Sequence, residues 1–327
     1  MPTDPLEYHW PGIIAAQAIY VAARLRLPDL LASGPKSAAE LAAEAHAHPR
    51  GVECLMRDLA TLGMFERTDD GRYRNTPSTD LLRAAHPESQ RDAVLFMPAP
   101  FLWRPLGEME YSVRTGKSAF EHVFGQRFFD YLAEHASDAA TFNAAMTQGA
   151  TWATPALLAA YDFSRFRQLV DVGGGEGAFL RDILQANPGL SGILFDLPAV
   201  VARAPEVLAG ELSQRCQIVG GDFFQFVPVG ADAYFMKGIV HDWPDEDAAR
   251  ILASVRRVIP ANGVLLLLEN MVNSAAGPEG MIELLMLVVG GRERTEGEFR
   301  ALLAASGFTL TRLIPTGRSS LLECHPV

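Results

Sequence analysis

One stretch constrains this chain more than any other. Leu169-Val170-Asp171-Val172 runs directly into Gly173-Gly174-Gly175-Glu176-Gly177, and a helical pattern begins at Ala178. A short apolar run, a glycine-dense turn and a helix start form a strand–turn–helix unit. Such a turn lets the backbone approach a ligand, with free amides pointing outward. The alternation continues downstream, with apolar runs at 192–195, 216–220, 233–236 and 263–269. Helical patterns run to Ala186, to Leu208, and over 245–258 between them. Strand–helix alternation predicts βαβ units and a parallel sheet with helices on both faces. Residues 308–315 and 319–325, joined at Thr316-Gly317, read as an antiparallel pair closing that sheet.

The N-terminal third has a different rhythm. Ile13, Ile14, Ala18, Val21, Leu25 and Leu30 recur at helical spacing, predicting one helix over 12–31. Ser37 with Glu40 three residues on is a capping box opening a helix over 38–45. Pro49 opens the next, which carries Val52, Leu55, Met56 and Leu59 and stops near Gly63. Residues 64–67 and 72–75 then flank Asp69-Asp70-Gly71, a hairpin signal. Three helices and a hairpin are the order of a winged helix, a module that reads DNA or pairs with another chain. Arg50 and Arg57 on its third helix are offset by Glu53 and Asp58, and 28 basic against 39 acidic side chains leave a net −11. That balance argues against phosphate backbones and anionic membranes and favours dimerisation. Residues 96–160 are dense in aromatics, most of them expected in the core and a few lining a pocket for a flat ligand. The expected division is 1–95, 96–160 and 161–327.

Cys54, Cys216 and Cys324 are widely spaced, so neither a disulfide framework nor a zinc site is expected, and a reducing cytoplasm fits. Residues 1–10 hold no apolar signal core, and no apolar run approaches the ~20 residues that span a bilayer. His46-Ala47-His48 lacks a nearby third ligand, and no metal is expected.

Asp196 ends the second strand of the alternating region about twenty residues after the glycine turn, where a carboxylate can accept ribose hydroxyls. Alone, Gly173, Gly175 and Ala178 also fit the dinucleotide pattern GxGxxA. Gly220-Gly221-Asp222-Phe223-Phe224 ends the third strand, placing an acid and aromatic rings beside an adenine, unless Asp222 is merely a turn residue. Three such strand tips form the pattern of S-adenosylmethionine (SAM) sites rather than NAD sites. Beyond the fourth strand stands Met236-Lys237-Gly238-Ile239-Val240-His241-Asp242-Trp243, where residues of open α/β sheets meet their ligand. His241 is placed to face the reactive end of the cofactor, the alternative being a helix-capping or core histidine.

Together with Leu197-Pro198 after Asp196 and with Gly290-Gly291-Arg292-Glu293-Arg294-Thr295, these motifs resemble the SAM-dependent O-methyltransferases of the plant caffeate/flavonoid and bacterial polyketide type. The resemblance spans nearly the whole chain. It implies a Rossmann-like α/β sheet, parallel with an antiparallel C-terminal strand, behind a helical winged-helix dimerisation domain. It further implies that Asp171, Gly173, Gly175, Asp196 and Leu197 hold the SAM tail and ribose, and that Gly221, Asp222 and Phe223 hold the adenine. Lys237 would serve the adenosine end and Trp152 would be a further cofactor contact. His241 would be the general base flanked by Glu269 and Glu293, with Met146 clamping substrate. Phe101, Trp103, Phe120, Phe124, Asp242 and Met286 are the remaining pocket candidates.

The expected reaction is in-line methyl transfer to a hydroxyl of a phenolic or polyketide-like small molecule by a homodimer. A phenol with a pKa near 10 is a poor nucleophile at neutral pH. An imidazole taking its proton contributes ~10²–10⁴ in rate. Three alternatives stand beside this one: a SAM-binding relative turned hydroxylase, decarboxylase or pericyclase; a winged-helix regulator; and an NAD dehydrogenase.

Overall fold

The computed structural model describes residues 9–272, 281–317 and 319–327. The chain forms two compact units, the first ending at Trp103 and the second running from Arg104 to Val327. The stretch expected as a separate linker is therefore divided, with residues 104–160 inside the second unit.

In the first unit the predicted single helix over 12–31 is two, His9–Arg24 and Leu27–Leu30. Arg26 between them is left-handed, φ 55°, which ends the first helix before its apolar stripe does. Ser37 caps Ala38–Glu44 as the sequence predicts, with both arms of the capping box formed. Pro49–Thr61 follows, then β1 (Phe65–Arg67) pairs antiparallel with β2 (Tyr73–Asn75). Leu27, Leu41, Val52, Met56, Leu59, Phe65 and Tyr73 close one small core.

The second unit is built on a seven-stranded sheet. Its strands are β3 (Gln168–Val172), β4 (Ser191–Asp196), β5 (Cys216–Gly220), β6 (Ala233–Lys237), β7 (Val264–Glu269), β8 (Phe308–Pro315) and β9 (Ser320–Pro326). The spatial order is β5-β4-β3-β6-β7-β9-β8, with β9 antiparallel to both of its neighbours. Period-two alternation gives each buried strand two apolar faces. Val170, Val172, Tyr234, Met236, Leu265 and Leu267 pack on one side against the helices Asp245–Arg256 and Glu296–Ala305. Leu169, Phe235, Leu266 and Leu268 pack on the other against Ala178–Ala186. Asp171 interrupts the apolar run 169–172 of β3, and it is buried.

One sequence expectation fails here, and two helices stand where the apolar spacing predicts none. The helix expected to run to Leu208 is two short turns, Pro198–Val201 and Ala204–Val207, divided where Pro205 removes a backbone donor. The helices Ile282–Val289 and Glu296–Ala305 had not been anticipated. Strand order reverses between β3 and β6, and in such sheets ligands bind in the crevice beyond the carboxyl ends at that point.

Candidate active site

At the tip of β3 the glycine turn crosses from strand to helix. Gly175 has φ +61°, a conformation that L side chains rarely adopt, and a Cβ there would meet nothing within 4 Å. That open side of the backbone is what a close-lying ligand requires. Gly174 has no such room, since its Cβ would fall 2.5 Å from Asp171 Oδ2. Asp171 sits beneath the turn with Oδ2 unpartnered. Burial, reinforced by the charge of Asp196, pushes its carboxyl up to about 7 against the pull of Lys237.

Asp196, at the tip of β4, accepts the Gly175 amide at 2.8 Å and the Leu197 amide at 2.6 Å. Its pKa is raised by burial, which those two amides oppose. Leu197 is 40% exposed beside it. Beyond β5, Asp222 accepts the Phe224 amide at 2.8 Å, so it does act as a turn residue. Phe223 nevertheless reaches the glycine turn, where a Cβ on Gly173 would lie 3.7 Å from its ring. Gly221 admits no side chain, because a Cβ would strike Phe226 and Phe195.

The tip of β6 carries the charged half. Burial lowers the pKa of Lys237, while Glu269, Asp171 and Asp242 push it back up. After Gly238 a single 3-10 turn, Val240–Asp242, presents His241. Its Nδ1 lies 2.9 Å from Glu293 Oε1 and 3.8 Å from Glu269 Oε2, and its Nε2 lies 3.5 Å from Asp242 Oδ1. Glu269, the last residue of β7, accepts the Val240 amide through Oε1 at 2.8 Å. The second oxygens of both Glu269 and Glu293 are buried without a hydrogen-bond partner. Burial alone would lower the imidazole pKa. The carboxylates of Glu269, Asp242 and Glu293 outweigh it and raise it to about 10. Burial likewise pushes Glu269 up to about 7 and Asp242 up to about 6, with His241 opposing both.

Two full-length relatives decide what such a site belongs to. The phenazine O-methyltransferase PhzM of Lysobacter antibioticus is 39% identical over 97% of this chain and 94% of its own. The mitomycin biosynthesis 6-O-methyltransferase of Streptomyces lavendulae is 39% identical over 94% and 89%. An O-methyltransferase domain matches residues 103–309 and an O-methyltransferase dimerisation domain matches 8–84. The chain belongs to the O-methyltransferases. The solved structure of LaPhzM superposes with a TM-score of 0.94 at 38% identity, covering 98% of both chains. Human N-acetylserotonin methyltransferase, solved with SAM, superposes at 0.90 with 26% identity, covering 100% of this chain and 99% of its own.

This O-methyltransferase is SAM-dependent, and its residues fit that cofactor. An open glycine turn, the strand-tip acid Asp196 and an orphaned buried oxygen on Asp171 supply acceptors and backbone approach for a cationic, hydroxyl-bearing ligand. A cleft of about 1590 Å³ is lined by Asp242, Trp243 and Glu293, neighbours of the imidazole, while His241 itself is not part of its wall. Its apolar wall includes Phe128, Phe129, Trp243, Leu284 and Leu287. Sequence reasoning passed these five over as site residues; Phe128 and Phe129 stand out only as part of an aromatic-dense segment.

The expected pocket residues fare unevenly. Asp242 lines the cleft. Phe120 is buried among Phe124, Phe128 and Tyr131, so it is core, and Phe124 packs in the same cluster. Met286 is buried and its carbonyl receives the Gly290 and Gly291 amides. Phe101 and Trp103 fall in the first unit, where Phe101 packs on Phe96. Met146, expected to clamp substrate, and Trp152, expected as a cofactor contact, stand on the helix Ala136–Ala160 at 39% and 48% exposure, outside this cleft's lining. Among the described residues no helix is long and apolar enough to cross a membrane, and no group of three or more His, Cys, Asp or Glu side chains is arranged to hold a metal ion. All three cysteines are free.

Proposed function

We propose that this enzyme methylates a hydroxyl of a planar aromatic or polyketide-like small molecule, with His241 as general base and in-line geometry. The observation that carries the reading is the imidazole held 2.9 Å from Glu293 on a turn beyond β6, beside a cleft with an aromatic wall.

When bound, SAM would supply an electrophilic methyl group on a sulfonium, with the sulfur as the leaving group. The chain's residues manage the proton and the geometry. With Nδ1–H donated to Glu293, the ring offers an Nε2 lone pair to a hydroxyl proton in its neutral form, after the imidazolium has given up its Nε2 proton. Glu269 and Glu293 hold an imidazolium whose pKa of about 10 sits beside that of a phenol. Residues Gly173, Gly175, Asp171, Asp196 and Leu197 bind and orient the cofactor tail and ribose. Gly221, Asp222, Phe223 and Lys237 serve the adenosine, and Phe129 and Trp243, stacked at 5.3 Å, offer a flat acceptor an apolar wall. The match to a dimerisation domain over 8–84 supports a homodimer formed through that region.

The relatives support the acceptor class: they are named for phenazine and mitomycin biosynthesis, and a neocarzinostatin enzyme at 31% identity was solved with SAM and 2-hydroxy-5-methyl naphthoic acid. No observation favours a non-methylating reaction.

The test is His241→Ala in the full chain, assayed by S-adenosylhomocysteine release across a panel of phenols and hydroxynaphthoates. Turnover should fall about 10²- to 10⁴-fold while SAM affinity by calorimetry stays within about twofold. Undiminished turnover would remove His241 from the chemistry.

A further inference from the structure

The motif that supplies Glu293 contains a second residue with no part in that chemistry. Arg294 is the largest wholly buried side chain among the described residues. A buried guanidinium costs several kcal/mol unless its donors and charge are satisfied, so its partners show what it is for. Its Nη1 donates to the carbonyl of Val240 at 2.8 Å and its Nη2 to the carbonyl of Trp243 at 2.8 Å. Those two carbonyls bracket His241-Asp242. Nε and Nη2 both meet Asp245 Oδ1, at 2.9 and 2.8 Å, which offsets the charge.

The same segment grips the turn through its backbone. The Arg292 amide donates to the His241 carbonyl at 2.7 Å. Gly291 lies so close that a Cβ on it would fall 2.4 Å from that carbonyl oxygen. The Arg294 carbonyl in turn accepts the Val272 amide at 3.1 Å, tying the segment to the chain that leaves β7 and Glu269. Glu293 therefore meets the imidazole ring while its neighbour holds the backbone beneath that ring.

We propose that Arg294 is a positioning residue for methyl transfer: its guanidinium locks the Val240–Trp243 turn so that the His241 imidazole stays against Glu293 and Glu269. The proposal rests on the reading of His241 as base. A lysine cannot substitute, because a single ammonium lacks the planar fork that reaches two carbonyls and a carboxylate at once. The groups facing the imidazole are Glu269 from β7, Glu293 from the segment after Ile282–Val289 and Asp242 from its own turn; Lys237 at the tip of β6 acts on Glu269 and Asp242.

The experiment is an NMR titration of the ¹⁵N-histidine-labelled full chain with S-adenosylhomocysteine bound, the His241 signal assigned by its loss in His241→Gln. Wild-type His241 should titrate well above the ordinary value, and Arg294→Lys should bring it down by about one unit or more. Charge neutralisation alone would leave Arg294→Lys like wild type. Gly291→Ala keeps every donor but displaces the His241 carbonyl, so it should shift the titration the same way, and it decides the matter should Arg294→Lys not fold. Wild-type titration in both variants, or a wild-type imidazole titrating near 6.5, would overturn the proposal. Loss of the base reading shows separately, as turnover surviving in His241→Ala.

Discussion

The two halves of this site are built from different materials. The half at the tips of β3 and β4 is backbone: an open glycine, two amides converging on Asp196, and little formal charge beyond the strand-tip acids. The half at the tips of β6 and β7 is side chain: one imidazole, one lysine and three carboxylates in a buried space, with two carboxylate oxygens left without a hydrogen-bond partner. A backbone cradle holds its shape, although Asp171 beneath it, pushed up to about 7, still titrates. A cluster of buried charges tunes proton affinity, at the expense of stability that varies with pH. Binding and proton transfer should therefore respond to different perturbations.

The largest effect expected is on the charged half. Glu293→Gln should lower kcat by up to about 10², with the KM for SAM within about twofold. Because the carboxylates hold the proton on His241, the acid limb of the pH–rate profile should move down toward 6.5 in that variant. A limb that stays in place would show that Glu293 does not set the imidazole's affinity.

On the cradle side, Asp196→Asn keeps the shape but removes the charged acceptor of two amides. SAM affinity by calorimetry should fall by about 1.5–3 kcal/mol, while the pH profile of kcat stays in place. Gly175→Ala should be milder for the fold, costing about 1–2 kcal/mol for the left-handed backbone, and its methyl would enter the open side. SAM binding should weaken about tenfold or more with kcat at saturation little changed. A fall in kcat alone would erase the division between the halves.

The smallest effect is on stability against pH. The imidazole pKa is raised from 6.5 to about 10 on folding, so its stabilisation is whole below about 6.5 and is lost as pH rises through about 10. The Tm advantage of wild type over His241→Asn should shrink by a few degrees between pH 7 and pH 10. A constant difference would mean that the imidazole is not held by its carboxylates.

Legibility in the sequence followed the range of the interactions. Ser37 with Glu40, the β1–β2 hairpin and the strand β3 are local patterns and stand where they were expected. The break at Arg26 and the division before Ala204 depend on backbone geometry that apolar spacing does not encode. Phe120 and Phe129 read alike in the chain, yet one is core and the other lines the cleft, because long-range packing decides which ring meets solvent.

What the chain alone determined was its alternation of strand and helix, and hence the strand tips at which a glycine turn, three acids and a histidine had to appear. Those are consequences of period and of turn chemistry, which act over a few residues. Only the tertiary structure decided that Glu269 and Glu293, 24 positions apart, converge on one ring nitrogen, and that Arg294 turns away to grip the loop from below. Charge that is scattered along a sequence becomes a proton-handling device only when burial strips its water and brings it within a few ångströms.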